Sequence, residues 1–149
     1  MNWPVGLGGK GNEGVSALVQ QTPGALGYVE LIYAIQNKMP YGKVKNSSGA
    51  FVKADLASVS AATAAAAKFI PDDFRVSITN PEGKGAYPIS SFTWLLIPEK
   101  IADPTKKKAI KEFLTWMLAD GQNMTETLAY ARLPKAVIAK EMKAIAKVQ

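Results

Sequence analysis

Apolar positions recur along this chain with two different spacings, and the spacing changes at recognisable turn signals. From Asn12 to Gln21, Val15, Leu18 and Val19 share one face at helical spacing, and Asn12 is placed to cap that helix. Thr22-Pro23-Gly24 ends it, and Ala25 to Val29 then predicts an apolar strand entering the interior. Leu31 to Lys38 reads as a short helix carrying Ile32 and Ile35, with Asn37 favouring its end. Tyr41–Val44 and Ala50–Lys53 flank the turn Asn46-Ser47-Ser48-Gly49 and together predict a β-hairpin. A helix capped by Asp55 or Ser58 runs through the alanine tract Ala61–Ala67 to about Phe69.

The second half follows the same two rhythms. Phe74, Val76 and Ile78 alternate with Arg75, Ser77 and Thr79, the pattern of a half-buried strand. After the Asn80–Gly85 loop, Tyr87 to Ile97 is almost continuous in strand formers, which predicts a strand covered on both faces. Asp103-Pro104 starts an amphipathic helix over Thr105–Asp120, with Ala109, Ile110, Phe113, Leu114, Met117 and Leu118 on its apolar face and Gly121 as its stop. A shorter helix is expected over Gln122–Leu128. A last one starts at Pro134 and reaches about Val148, striped by Val137, Ile138, Met142 and Ile145. The expected fold class is therefore α/β, a mixed sheet flanked by helices.

Composition narrows the chemistry. There are no cysteines and no histidines. Disulfides, thiol nucleophiles and histidine-dependent triads are excluded, and the commonest metal ligand is missing. No metal or cofactor is expected. Two acidic arrangements remain for an enzyme, the adjacent Asp72-Asp73 and Glu30 with Lys38, and both read more simply as caps and solvated charges. The net charge of +6 admits an anionic partner. The lysines are scattered, however, and the one dense run, Lys106-Lys107-Lys108, lies in a first helical turn as a solvated face. Trp94 and Trp116 fit apolar faces rather than stacking platforms, so with Trp3 they make a weak case for nucleic acid, and none is expected as a partner.

The densest chemical signal is the glycine-rich string around Gly6, Gly8, Gly9, Gly11 and Gly14. Ahead of a helix, Gly8, Gly9, Lys10, Gly11 and Asn12 could cradle an anion on backbone amides, or they could form a purely structural turn. The string lacks the Lys-Ser/Thr pair of the P-loop and the spacing of the dinucleotide fingerprint.

Taken whole, the string resembles the periplasmic phosphate-binding protein of bacterial phosphate ABC importers. The matching residues are Trp3-Pro4, Gly6, Gly8 to Asn12, Gly14, Pro23-Gly24 and Gly27 to Glu30. The likeness continues through Tyr33-Ala34, through Ala86-Tyr87-Pro88-Ile89-Ser90-Ser91, and through Leu128 to Pro134. It implies part of a type II periplasmic-binding-protein fold, with residues 1–88 in the second lobe and 89–149 completing the first. It also implies inorganic phosphate as ligand, a membrane permease as partner, and no reaction catalysed. Ser90, Ser91 and Thr93 would border the cleft and hinge.

The family's phosphate-gripping Arg-Ser-Asp-Gly-Ser-Gly-Thr segment does not occur in this sequence, so no phosphate ligand is carried over. Arg75 and Arg132 read instead as a strand edge and a loop surface. On this resemblance the chain is expected to be the C-terminal portion of such a protein. The parent is expected in the periplasm, although Met1-Asn2-Trp3-Pro4 does not look like a signal peptide. Strands left without neighbours would then drive a homo-oligomer with swapped or intertwined elements.

Overall fold

Helices form where local signals alone suffice to build them. The computed structural model describes residues 4–149, and Trp3, which opens the glycine-rich string, lies outside them. The chain divides into two units, one ending at Gly42 and the other spanning Lys43–Gln149.

The first unit holds two helices, α1 (Gly11–Gln21) and α2 (Leu31–Gln36). The cap of α1 is Lys10 rather than Asn12, and it makes no side-chain cap bond. Asn12 sits inside the first turn, and its side chain is used elsewhere. α2 ends in a Schellman motif. Lys38 takes φ +53°, Met39 N–H donates to Ala34 O at 2.8 Å, and Lys38 N–H donates to Ile35 O at 3.1 Å. Asn37 adds a side-chain bond to Tyr33 O at 2.9 Å, in keeping with its expected place at the helix end.

The second unit opens on the predicted hairpin, β1 (Lys43–Lys45) and β2 (Phe51–Lys53), antiparallel with Val44 opposite Val52. Its turn closes through Asn46 N–H to Ala50 O and through Gly49 at φ +79°. Here a left-handed glycine is needed, because an L side chain would be strained there.

Helix α3 (Leu56–Ala66) follows, and the choice between Asp55 and Ser58 resolves into both. Asp55 is the N-cap, accepting from Ser58 N–H at 2.7 Å, and the Ser58 hydroxyl receives Asp55 N–H at 3.1 Å in a capping box. The alanine tract lets this helix be approached closely, and Ala62 is 0% exposed. A 3₁₀ turn, Ala67–Phe69, finishes it.

Helices α4 (Pro104–Leu118) and α5 (Lys135–Ala146) pack together, with 3₁₀ turns at Asp120–Met124 and Glu126–Leu128 between them. Leu114, Leu118 and Val137 are buried. Asp103 caps α4 through Thr105 N–H and Lys106 N–H, and Pro104 occupies its first turn. The apolar face of α4 is narrower than its sequence suggests. Ile110, Leu114, Met117 and Leu118 turn inward, while Ala109, Phe113 and Trp116 face solvent. Phe113 and Trp116 stack on each other there, with ring centroids 6.0 Å apart.

The C-terminal end of α5 is closed by a cation. Lys111 Nζ donates to Val148 O at 3.1 Å, where the helix dipole favours positive charge.

The sheet departs most from expectation. Among the described residues it has two strands, β1 and β2, and no mixed sheet forms. Ala25–Val29 is irregular and open, with Leu26 98% and Tyr28 87% exposed. In Phe74–Ile78 the inside–outside alternation holds, ending on Ile78 at 2% exposure. Yet a turn from Pro71 O to Phe74 N–H, with Phe74 at φ +59°, takes the backbone out of strand geometry. The run to Ile97, expected to be covered on both faces, is bare from Thr93 onward. Trp94 therefore lies half-exposed, edge-on to Phe92, rather than in a core. The physical reason is common to all three segments. A strand is stable only when a neighbour completes its ladder, and these segments have no such neighbour among the described residues.

One side chain ties the second unit together. Asn46, 5% exposed, donates through Nδ2 to the carbonyls of Gly83, Lys84 and Ala86, each at 3.0 Å. Its Oδ1 accepts from Ser48 N–H and Ala50 N–H, both at 3.1 Å. Asn80 adds a second tie, accepting Ser47 N–H at 2.8 Å. Asn46→Ala removes all five bonds, the one to the buried Ala86 carbonyl among them, and is expected to cost about 2–3 kcal/mol. The nearly isosteric Asn46→Asp keeps the acceptor and loses the donors, so it should be at least as damaging. Urea unfolding of the three chains checks this, and an Asp variant as stable as the parent would contradict it.

Candidate functional site

Within the glycine-rich string, Gly9 and Gly14 bring the loop backbone against the backbone of α1. A Cβ on Gly9 would lie 2.6 Å from both Gly14 C and Val15 N, so Gly9 rests directly on the backbone of α1. From the other side, a Cβ on Gly14 would lie 3.2 Å from Gly9 C. Gly27 is pressed in the same way against Val19 Cγ2 and Val15 Cγ1, at 2.6 and 3.1 Å. Gly11 takes φ +67° at the helix start. Gly8, by contrast, faces open space. Of the five candidate cradle residues, Gly8, Lys10 and Gly11 are exposed, whereas Gly9 and Asn12 are half-buried.

Asn12 makes the contact that local sequence could not announce. Its Oδ1 accepts Glu30 N–H at 2.9 Å, and its Nδ2 donates to Glu30 Oε1 at 3.3 Å. A second clasp lies one turn on, where the Tyr33 hydroxyl donates to Glu13 Oε1 at 2.8 Å. Together they tie the first turns of α1 to the start of α2. Between the two helices runs a groove of about 220 Å³ lined by Glu13, Ser16, Gln20, Tyr33 and Asn37. The carboxyl of Glu13 is held below its ordinary value of 4.5, first by a backbone N–H and then by the Tyr33 hydroxyl.

The hinge candidates lie in the second unit. Ser90 is buried, and its hydroxyl donates to Tyr87 O at 2.9 Å. Ser91 is exposed and bonds its neighbour Phe92 O, and Thr93 is exposed.

The acidic pairs considered for catalysis are spoken for individually. Asp72 pairs with Lys140 at 3.1 Å, and that lysine also donates to Ile70 O. Asp73 pairs with Arg75 at 3.3 Å and accepts Arg75 N–H. The hydrogen bond from Lys140, followed by its charge, lowers the pKa of Asp72. Glu30 is engaged by Asn12, and Lys38 serves the left-handed end of α2. Arg132 pairs with Glu126 at 2.9 Å. Asp72, Asp73 and Arg132 are thus each held in an ion pair, and the Glu30 carboxylate accepts from the Asn12 side chain.

Residues 3–121 match a PBP superfamily domain. The chain belongs to the PBP superfamily. The likeness to individual members extends further along the sequence. The chain is 41% identical over 138 residues to the phosphate-binding protein PstS of Xylella fastidiosa, which covers 93% of this chain and 38% of that protein. It is 42% identical over 155 aligned positions to PstS of Methanocaldococcus jannaschii, covering 92% and 39%. With PstS of Pasteurella multocida the identity is 36% over 140 residues, covering 94% and 41%. The chain thus spans about two fifths of the length of these relatives.

Two predictions follow from the first unit of this superfamily member. Gly9→Ala drives a methyl group into backbone and should lose about 1–3 kcal/mol, whereas Gly8→Ala should be nearly neutral. Equal effects, read from thermal unfolding of the two variants, would contradict the close approach of Gly9 to α1.

The second prediction concerns acid. The pKa of Glu13 is lowered by folding, so its contribution is complete above pH 4.5 and is lost as pH falls through the lower folded value. A carboxyl-detected NMR titration should give Glu13 a midpoint below 4.5, and Tyr33→Phe should raise it. A midpoint at or above 4.5 in the parent chain would contradict the clasp.

Proposed function

We propose that this chain is part of the phosphate-capturing component of an ABC importer, working in the periplasm with a membrane permease and making or breaking no covalent bond. One observation carries the reading. The likeness to PstS extends over 93% of the chain at 41% identity, so it is a likeness of the whole sequence and not of one glycine motif.

The packing of the first unit supports a division of labour. Gly9 and Gly14 serve backbone contact, Gly27 makes room for the side chains of Val15 and Val19, and the Asn12–Glu30 clasp fixes the helix start. On this reading the Gly8–Asn12 loop is architectural, and the phosphate grip belongs to parts of the longer protein outside this sequence. Buried anions in such clefts are held by helix N-termini, hydroxyls and an arginine fork. Arg75 and Arg132 are each committed to a neighbouring carboxylate. In the same frame residues 1–88 belong to one lobe and 89–149 to the other, with Ser90, Ser91 and Thr93 at the passage between them.

The test is a chimera in which this chain replaces the matching region of the Xylella fastidiosa relative. Calorimetry should show one phosphate bound per folded chimera and no comparable heat with sulfate. A chimera that folds and gives no phosphate heat would overturn the reading. The 149-residue chain alone should show no tight phosphate binding. Tight one-to-one binding by it would overturn the placement of the grip elsewhere.

A further inference from the structure

Helix α5 is fastened at its C-terminal end to residues that follow the passage at Ser90 to Thr93. Gln149 N–H donates to Glu99 O, and Ile101 N–H donates to Gln149 O, each at 2.7 Å. Lys111 of α4 donates to Val148 O at 3.1 Å. Within the same unit, one side chain of α5 reaches back to residues that precede the passage. Lys140 Nζ pairs with Asp72 Oδ1 at 3.1 Å and donates to the carbonyl of Ile70, a residue 6% exposed.

The two contacts differ in strength. The Asp72 side chain is 91% exposed, so water and salt screen its ion pair. The bond to the Ile70 carbonyl is charge-assisted and comes from a side chain only 31% exposed. Lys143 and Lys147, on the same helix, add a weaker attraction to the Asp72 carboxylate. The carbonyl bond therefore carries most of the tie, and the ion pair steers the ammonium group onto it.

We propose that Lys140 is a positioning residue that sets the angle between the two lobes of the phosphate clamshell. The inference rests on the division into residues 1–88 and 89–149 given above. On that division the backbone crosses between the lobes once within this chain, and a single crossing does not oppose rotation about itself. Lys140 adds a second link, from a helix anchored on one side to a buried carbonyl on the other. Phosphate held between lobes requires them at one angle. Holding that angle raises the fraction of molecules ready to bind, and so the apparent affinity, without any new contact to phosphate.

The chain has no cysteine, so paired cysteines can carry spin labels at chosen sites. Ala57→Cys on α3 and Lys106→Cys on α4 are exposed positions on either side of the passage. Double electron–electron resonance on the full chain, diluted into unlabelled chain, should give this pair one narrow distance. Lys140→Met keeps an apolar stem and loses the ammonium, and should turn that distance into a broad distribution. Lys140→Arg should restore the narrow distance. Asp72→Asn should broaden it less than Lys140→Met, because the Ile70 bond remains. A control pair, Lys43→Cys with Ala57→Cys, lies wholly ahead of the passage and should be the same in every variant. In the chimera described above, Lys140→Met should weaken phosphate binding about three- to tenfold, with one phosphate still bound per chimera.

An Ala57–Lys106 distance as narrow in Lys140→Met as in the parent would overturn the proposal. So would unchanged phosphate affinity in the chimera that carries Lys140→Met. Broadening of the control pair would overturn it too, since Lys140 would then support the fold at large rather than the angle. A parent chimera that gives no phosphate heat refutes the phosphate reading instead, and the label distances still decide the role of Lys140.

Discussion

Backbone hydrogen bonding is the constraint on which this structure turns. Every buried peptide group needs a partner, and a chain can supply one from a helix, a ladder or a side chain. This chain uses the first and the last far more than the second. Where strands would have paired, asparagine side chains take over. Asn46 serves three carbonyls and two amides, Asn80 serves Ser47, and Asn12 serves Glu30. These bonds hold loops in place without a sheet beneath them. Stretches beyond their reach, Ala25–Tyr28 and Thr93–Ile97, lie open to solvent.

Legibility in the sequence follows the same division. Helices α3, α4 and α5 were readable because their caps, periodicity and stop signals all lie within the helix and its flanks. Asp55, Asp103 and Pro134 stand where those signals place them. The hairpin was readable because its turn chemistry, Asn46 to Gly49, is local too. The strands were not, because a strand is a relation between segments and its alternation records only which side faces inward. Phe74, Val76 and Ile78 do face inward, yet a left-handed Phe74 breaks the strand that their alternation predicts.

The candidate site was legible in composition and opaque in purpose. Five glycines near a helix start announce that the backbone needs room, without saying whether a ligand or another backbone fills it. Here Gly9 and Gly14 fill each other's space. Asn12 has the chemistry of a cap, and its partner eighteen residues away has no local signature. The resemblance carried by the whole string was the stronger guide, and membership of the PBP superfamily rests on residues 3–121 and not on the glycines alone.

The long apolar run before Pro98 has no ladder among the described residues. Amide hydrogen exchange, followed by mass spectrometry on the dilute monomer, tests it most directly. Helices α3 to α5 and the hairpin should be protected, while Phe92 to Ile97 should exchange at nearly the rate of an unstructured peptide. Protection across Phe92–Ile97 comparable with that of α4, in a sample shown to be monomeric, would contradict the account.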